Sequence, residues 1–104
     1  MKKPVFPKTI RIAGHDYALR LANPDGDLEA VNVGRCDHYR LRITLDASVP
    51  PDAQRTTLLH ELIHAADRRF GACDLTEAQV LAIENGLWAI FNDNAGLAAA
   101  VFRR

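Results

Sequence analysis

A chain of 104 residues can build one hydrophobic core and has little length left for a second. Its 13 basic residues balance 13 acidic ones, so no global field draws it to nucleic acid or to an anionic membrane. Hydrophobic residues at 48% and charged residues at 25% are ordinary for a soluble globular domain, which argues against a disordered chain. Arginines cluster locally at 35, 40 and 42, and again at 68 and 69, as solvated faces do.

The opening stretch MKKPVFPKTIRIAG is interrupted by Pro4, Pro7, Lys8 and Arg11, so it forms neither a signal-peptide core nor a membrane span. A cytoplasmic protein is the expectation. Cys36 and Cys73 lack C-x-x-C spacing and read as reduced thiols.

In chain order, residues 8–14 and 16–21 alternate apolar and polar side chains, with a hairpin turn at Gly14-His15-Asp16. NPDGD at 23–27 is a loop by its turn chemistry, and 28–34 is a weaker strand. Residues 39–46 are the clearest strand: Tyr39, Leu41, Ile43 and Leu45 share one face, opposite Arg40, Arg42 and Thr44. Pro50-Pro51-Asp52 then starts a helix expected to run from 52 to Phe70 and to stop at Gly71. Its apolar stripe is Leu58, Leu59, Leu62, Ile63, Ala66 and Phe70. A second helix at about 76–92 carries Val80, Ile83, Leu87, Ile90 and Phe91 on one face. Two capping boxes compete for its start, Thr76 with Gln79 and Asp74 with Glu77. LAAAVFRR is a short terminal helix or a packed tail. The expected fold is α+β in a single domain over 1–104: an antiparallel or mixed sheet of three to four strands, followed by a helical hairpin.

The first helix carries RTTLLHELIHAAD. On a helix His60 and His64, four apart, point to one side, and Glu61 is rotated off that line. H-E-x-x-H in this setting is a zinc motif, with the histidines as ligands and the glutamate as general base. With four His and four Glu in the chain, chance yields the pattern in roughly 0.4% of shuffles, so helical context has to confirm it.

A metzincin continuation would need Gly and His where Asp67 and Phe70 stand, so that branch is excluded. A third ligand is then expected from the second helix. Glu77 competes with a role in helix capping. Glu84 lies within the apolar face, where an unpaired carboxylate is costly. About 10 Å separates them along the helix, so one of the two ligates. Asp67 is a candidate to orient an imidazole from outside the ligand shell. His38 and Tyr39, beside the clearest strand, are more readily ordinary surface than oxyanion donors. His15 reads as a turn residue.

LLHELIHAAD, followed by LTEAQVLAIENGLWAIFNDN and preceded by YRLRITLD, resembles the small metallopeptidase-like proteins of phages and prophages. These are minimal gluzincins similar in plan to the ImmA/IrrE peptidases, and the resemblance covers roughly residues 34 to 94. It implies Zn²⁺ on His60, His64 and a glutamate of the second helix, with Glu61 as the base. Within it, the pattern following Glu77 favours that residue, and Glu84 is the alternative. It also implies a peptide or protein substrate along an edge strand at about 39–46. The implied activity is peptide hydrolysis by a zinc-dependent endopeptidase. The alternative is a zinc-stabilised binding or regulatory module without appreciable turnover, and a third reading is a metal-free interaction domain.

Overall fold

Two consecutive residues with positive φ, Ala13 at 51° and Gly14 at 81°, join β1 (Thr9–Ile12) to β2 (His15–Ala22) in the computed structural model, which describes residues 4–23, 34–71 and 73–103. Positive φ at both central positions belongs to the tight hairpin turns whose twist suits antiparallel strands. The turn therefore lies one residue earlier than expected, and His15 starts β2, facing Ile12.

β3 (Gly34–Asp37) and β4 (Arg42–Asp46) complete a four-stranded mixed sheet in the order β1-β2-β4-β3. β4 runs parallel to β2 and antiparallel to β3. Two expectations are corrected here. The strand expected at 39–46 begins only at Arg42, and it lies inside the sheet, paired on both sides, so it is not an edge. Asp37 is the cause of the late start: its Oδ1 accepts the N–H groups of Tyr39 and Arg40, each at 3.0 Å, closing a turn that Leu41 leaves at φ 55°. Tyr39 is consequently almost fully exposed. Of the expected strand 28–34 only Gly34 is described; the rest of it, like most of the 23–27 loop, lies outside the described residues.

α1 (Pro51–Ala66) starts without a side-chain cap but with proline in its first turn and Asp52 paired to Arg55 at 2.8 Å. Gln54, Thr57, Glu61 and Ala65 form its buried line against the sheet, and Gln54 donates to the carbonyls of Ala47 and Val49. The expected helix to Phe70 instead widens into a π-helical turn, Asp67–Gly71. That turn changes the helical phase, which leaves Phe70 exposed rather than on the apolar stripe, and Ala66, at the end of α1, is exposed as well.

α2 (Glu77–Asp93) is capped by Thr76 and Gln79, with both reciprocal bonds made; Asp74, at φ 55°, takes no part in that box. Val80 and Glu84 are its buried residues and Leu87 and Phe91 are half-buried, while Ile83 and Ile90, also expected on the inner face, are exposed at its edge. α3 (Leu97–Phe102) follows, and Phe102 stacks near Phe91 with ring centroids 6.0 Å apart. The core is small: Ile12, Tyr17, Ile43, Leu45 and Ala65, flanked by Leu19, Leu58 and Leu62 among others. Among the described residues no helix is long and apolar enough to cross a membrane. The fold is α+β, as the alternating strands followed by helices predict.

Candidate metal centre

The helical register of α1 splits the motif between two neighbours. Glu61 belongs to the buried line that meets β3, whereas His60 and His64, half-buried, face α2. Their rings meet edge to face with centroids 4.9 Å apart. α2 presents Glu77 and Glu84, which lie seven residues apart and so share one side of the helix.

The Glu77 carboxylate converges on both histidines: Oε1 lies 2.6 Å from His64 Nε2, and Oε2 lies 3.2 Å from His60 Nε2. One ligand atom from each of His60, His64 and Glu77 lies within 4.8 Å of the others. Donors of a tetrahedral zinc, each at about 2.0–2.1 Å from the metal, stand about 3.3–3.4 Å apart, so small side-chain adjustments bring this set to coordination distance. Glu77 is free to do this because Thr76 and Gln79 already cap the helix.

Glu84 is buried and takes a different place, with Oε1 accepting from His60 Nδ1 at 2.8 Å. That is the bond by which a carboxylate orients a ligating imidazole and raises its basicity. Both glutamates therefore reach His60, from opposite ring nitrogens. In a neutral His60 whose Nδ1–H is donated to Glu84, the Nε2 lone pair faces a Glu77 oxygen. Two acceptors facing each other repel, and a cation held between them removes the conflict.

Glu61 is 8% exposed, and among the described residues no hydrogen bond engages its carboxylate. Burial pushes its carboxyl above the ordinary range; His60 and His64 oppose that, and the Glu77 and Glu84 charges reinforce it. Its position depends on Gly34: a Cβ there would collide with the Thr57 methyl and come within 3.4 Å of Glu61 Oε2. β3 and α1 can approach this closely only across a glycine.

Asp67 does not orient an imidazole. Its Oδ1 accepts from Cys73 N at 2.7 Å and its Oδ2 from Leu75 N at 3.0 Å, which pins the connection between the helices and so sets where α2 begins. Tyr39 is far too exposed to line the site. His38 does line it. One cleft lobe of about 570 Å³ is bounded by His38, Glu61, His64 and Arg68, and a second of about 660 Å³ by Gly34, Arg35, His60, Glu77 and Glu84. Cys36, Glu61 and His64 border both lobes. The strand at the cleft is therefore β3, an edge among the described residues, and not the 39–46 strand. Cys36 and Cys73 are unpaired thiols, as expected, but Cys36 stands at the centre of the cleft. Burial and the Glu61 charge push its thiol up to about 12.

Sequence reasoning overlooked Gly34, Cys36, Tyr17 and Arg69. None carries a local signal, because GRCD lacks strand alternation and Arg69 reads as half of a basic pair. Comparison with protein-family models, curated proteins and solved structures found no match for this chain.

Proposed function

We infer that this protein is a small zinc-dependent peptidase of gluzincin type. The observation that carries the reading is the donor set: two Nε2 atoms and the Glu77 carboxylate converge, and Glu84 braces His60 from behind. Three carboxylates stand around two imidazoles, two of them buried, and such a concentration of negative charge is costly without a cation. Two nitrogens and an oxygen suit zinc, and three protein ligands leave the fourth position that a catalytic site needs.

When bound, zinc supplies a Lewis acid that polarises the scissile carbonyl and lowers the pKa of water towards neutrality. Glu61 would serve as the general base, taking a proton from the attacking water and delivering it to the leaving amine. Burial raises its proton affinity, which favours proton uptake by this group. The substrate is an extended peptide that pairs with β3, an edge strand among the described residues, which brings its backbone past Glu61 and His64.

Two measurements test the reading together. Purified protein should carry one zinc per chain, and Glu61→Gln should keep that zinc while losing peptide hydrolysis by at least about a hundredfold. Bound zinc with no cleavage across a diverse peptide library would replace the peptidase with a zinc-stabilised binding module.

A further inference from the structure

A second hydrogen-bonded group joins the cleft to the sheet core. Tyr17, on β2, has no exposed surface, and its hydroxyl meets two partners. Arg69 Nε donates to it at 2.8 Å, and His38 Nδ1 lies 3.0 Å away. Arg69 reaches across from the π-helical turn just beyond His64. Its Nη2 also donates to the His38 carbonyl at 3.1 Å, and its guanidinium lies 5.7 Å from the Tyr17 ring centroid. Cys36 Sγ lies 3.7 Å from the same His38 nitrogen.

These contacts determine where the His38 proton resides. An arginine only donates, so the Tyr17 oxygen accepts from Arg69 and has one hydrogen left to give. In a fully buried site that hydrogen needs an acceptor, and among the described residues His38 Nδ1 is the one within reach. The Cys36 thiol, held protonated by burial, offers a second weak donor to the same atom. Burial, with the charges of Arg68, Arg69 and His64, lowers the His38 pKa and so favours the neutral ring. A neutral imidazole accepting at Nδ1 carries its hydrogen on Nε2.

We propose that His38 is a further residue of the active site, a neutral imidazole fixed as the Nε2–H tautomer that donates to the substrate carbonyl oxygen as it gains charge, with Tyr17 and Arg69 as its positioning residues. This role rests on the peptidase reading above. It gives the π-helical turn a function: the altered phase after Ala66 carries Arg69 onto the sheet instead of into solvent. The strand-borne wall thereby supplies the donor that the helix-borne ligands lack.

Nitrogen-15 spectra of the histidine side chains in the zinc-loaded protein test the tautomer without requiring turnover. His38 should show an unprotonated Nδ1 and a protonated Nε2. Tyr17→Phe, which preserves the ring's volume, should mix the tautomers and lower kcat by up to about tenfold with KM little changed, the range of one ordinary hydrogen bond. His38→Ala should lower kcat by about 10²–10³ at unchanged zinc content, as loss of an oxyanion donor does. A His38 protonated at Nδ1, or a His38→Ala variant with wild-type kcat, would overturn the proposal. An inactive wild type would instead fault the peptidase reading, and the spectrum alone would then decide the tautomer.

Discussion

The two walls of the cleft are built on opposite principles. The helical wall takes His60, Glu61 and His64 from five consecutive residues and adds Glu77 and Glu84 from one face of α2. Its geometry follows from a rigid helical repeat, and two helices have only to be set side by side. The strand wall draws Gly34, Cys36 and His38 from β3 and its turn, Tyr17 from β2 and Arg69 from beyond α1. There each contact depends on the whole sheet being in register. A site can thus fix its metal ligands by local spacing while leaving substrate handling to long-range packing. On this account, damage to the helical wall removes metal, and damage to the strand wall leaves metal in place and impairs what is done with it.

The largest expected effect tests the first half of that contrast. Glu77→Ala should abolish stoichiometric zinc binding, whereas Glu84→Gln should retain zinc with affinity reduced by about 10–100-fold, as loss of a ligand-orienting partner does. Competition with a chelator of known affinity measures both. If Glu84→Gln loses more zinc than Glu77→Ala, the roles of the two carboxylates are reversed.

Gly34→Ala probes the strand wall where it meets the helix. The added methyl meets Thr57 and crowds Glu61, an overpacking worth about 1–3 kcal/mol. Thermal melting should register it at about 4–8 °C per kcal/mol for a domain of this size. Zinc content should remain at one per chain, because the atoms the methyl meets first belong to Thr57 and Glu61, neither of which is in the ligand set of His60, His64 and Glu77. Loss of zinc in this variant would break the division between the walls.

The smallest effect is chemical. A thiol reagent at neutral pH should modify the exposed Cys73 readily and leave Cys36 largely untouched, since burial and Glu61 hold its thiol up at about 12. Mass mapping of the labelled peptides reads the ratio. Equal labelling would mean that Cys36 is not held in the protonated, half-buried state described.

The same contrast explains what could be read in the sequence. Periodicity located α1 and α2, most of β1 and β2 and the core of β4, while α3 settles the open choice between a terminal helix and a packed tail; H-E-x-x-H marked the helical wall directly. Glu77, the residue favoured as third ligand, contacts both histidines, while Glu84 is buried against His60 for a reason the sequence only hinted at. What escaped notice lay where local pattern and tertiary demand diverge. GRCD becomes a strand because β4 pairs with it, and Gly34 is required by a helix 23 residues further on at Thr57. Phe70 fitted a helical stripe that the π-helical turn interrupts. Tyr17 and Arg69 are 52 residues apart and meet only in the folded chain.

X-ray absorption at the zinc edge of the purified protein tests the central claim most directly, because it reports the ligand atoms themselves. The account predicts a shell of nitrogen and oxygen alone at about 2.0–2.1 Å, with the outer scattering of two imidazoles. A sulfur shell at about 2.3 Å would draw Cys36 from the cleft centre into the ligand set, and protein that binds no zinc would leave the helical wall without its metal; either result contradicts the site built from His60, His64 and Glu77.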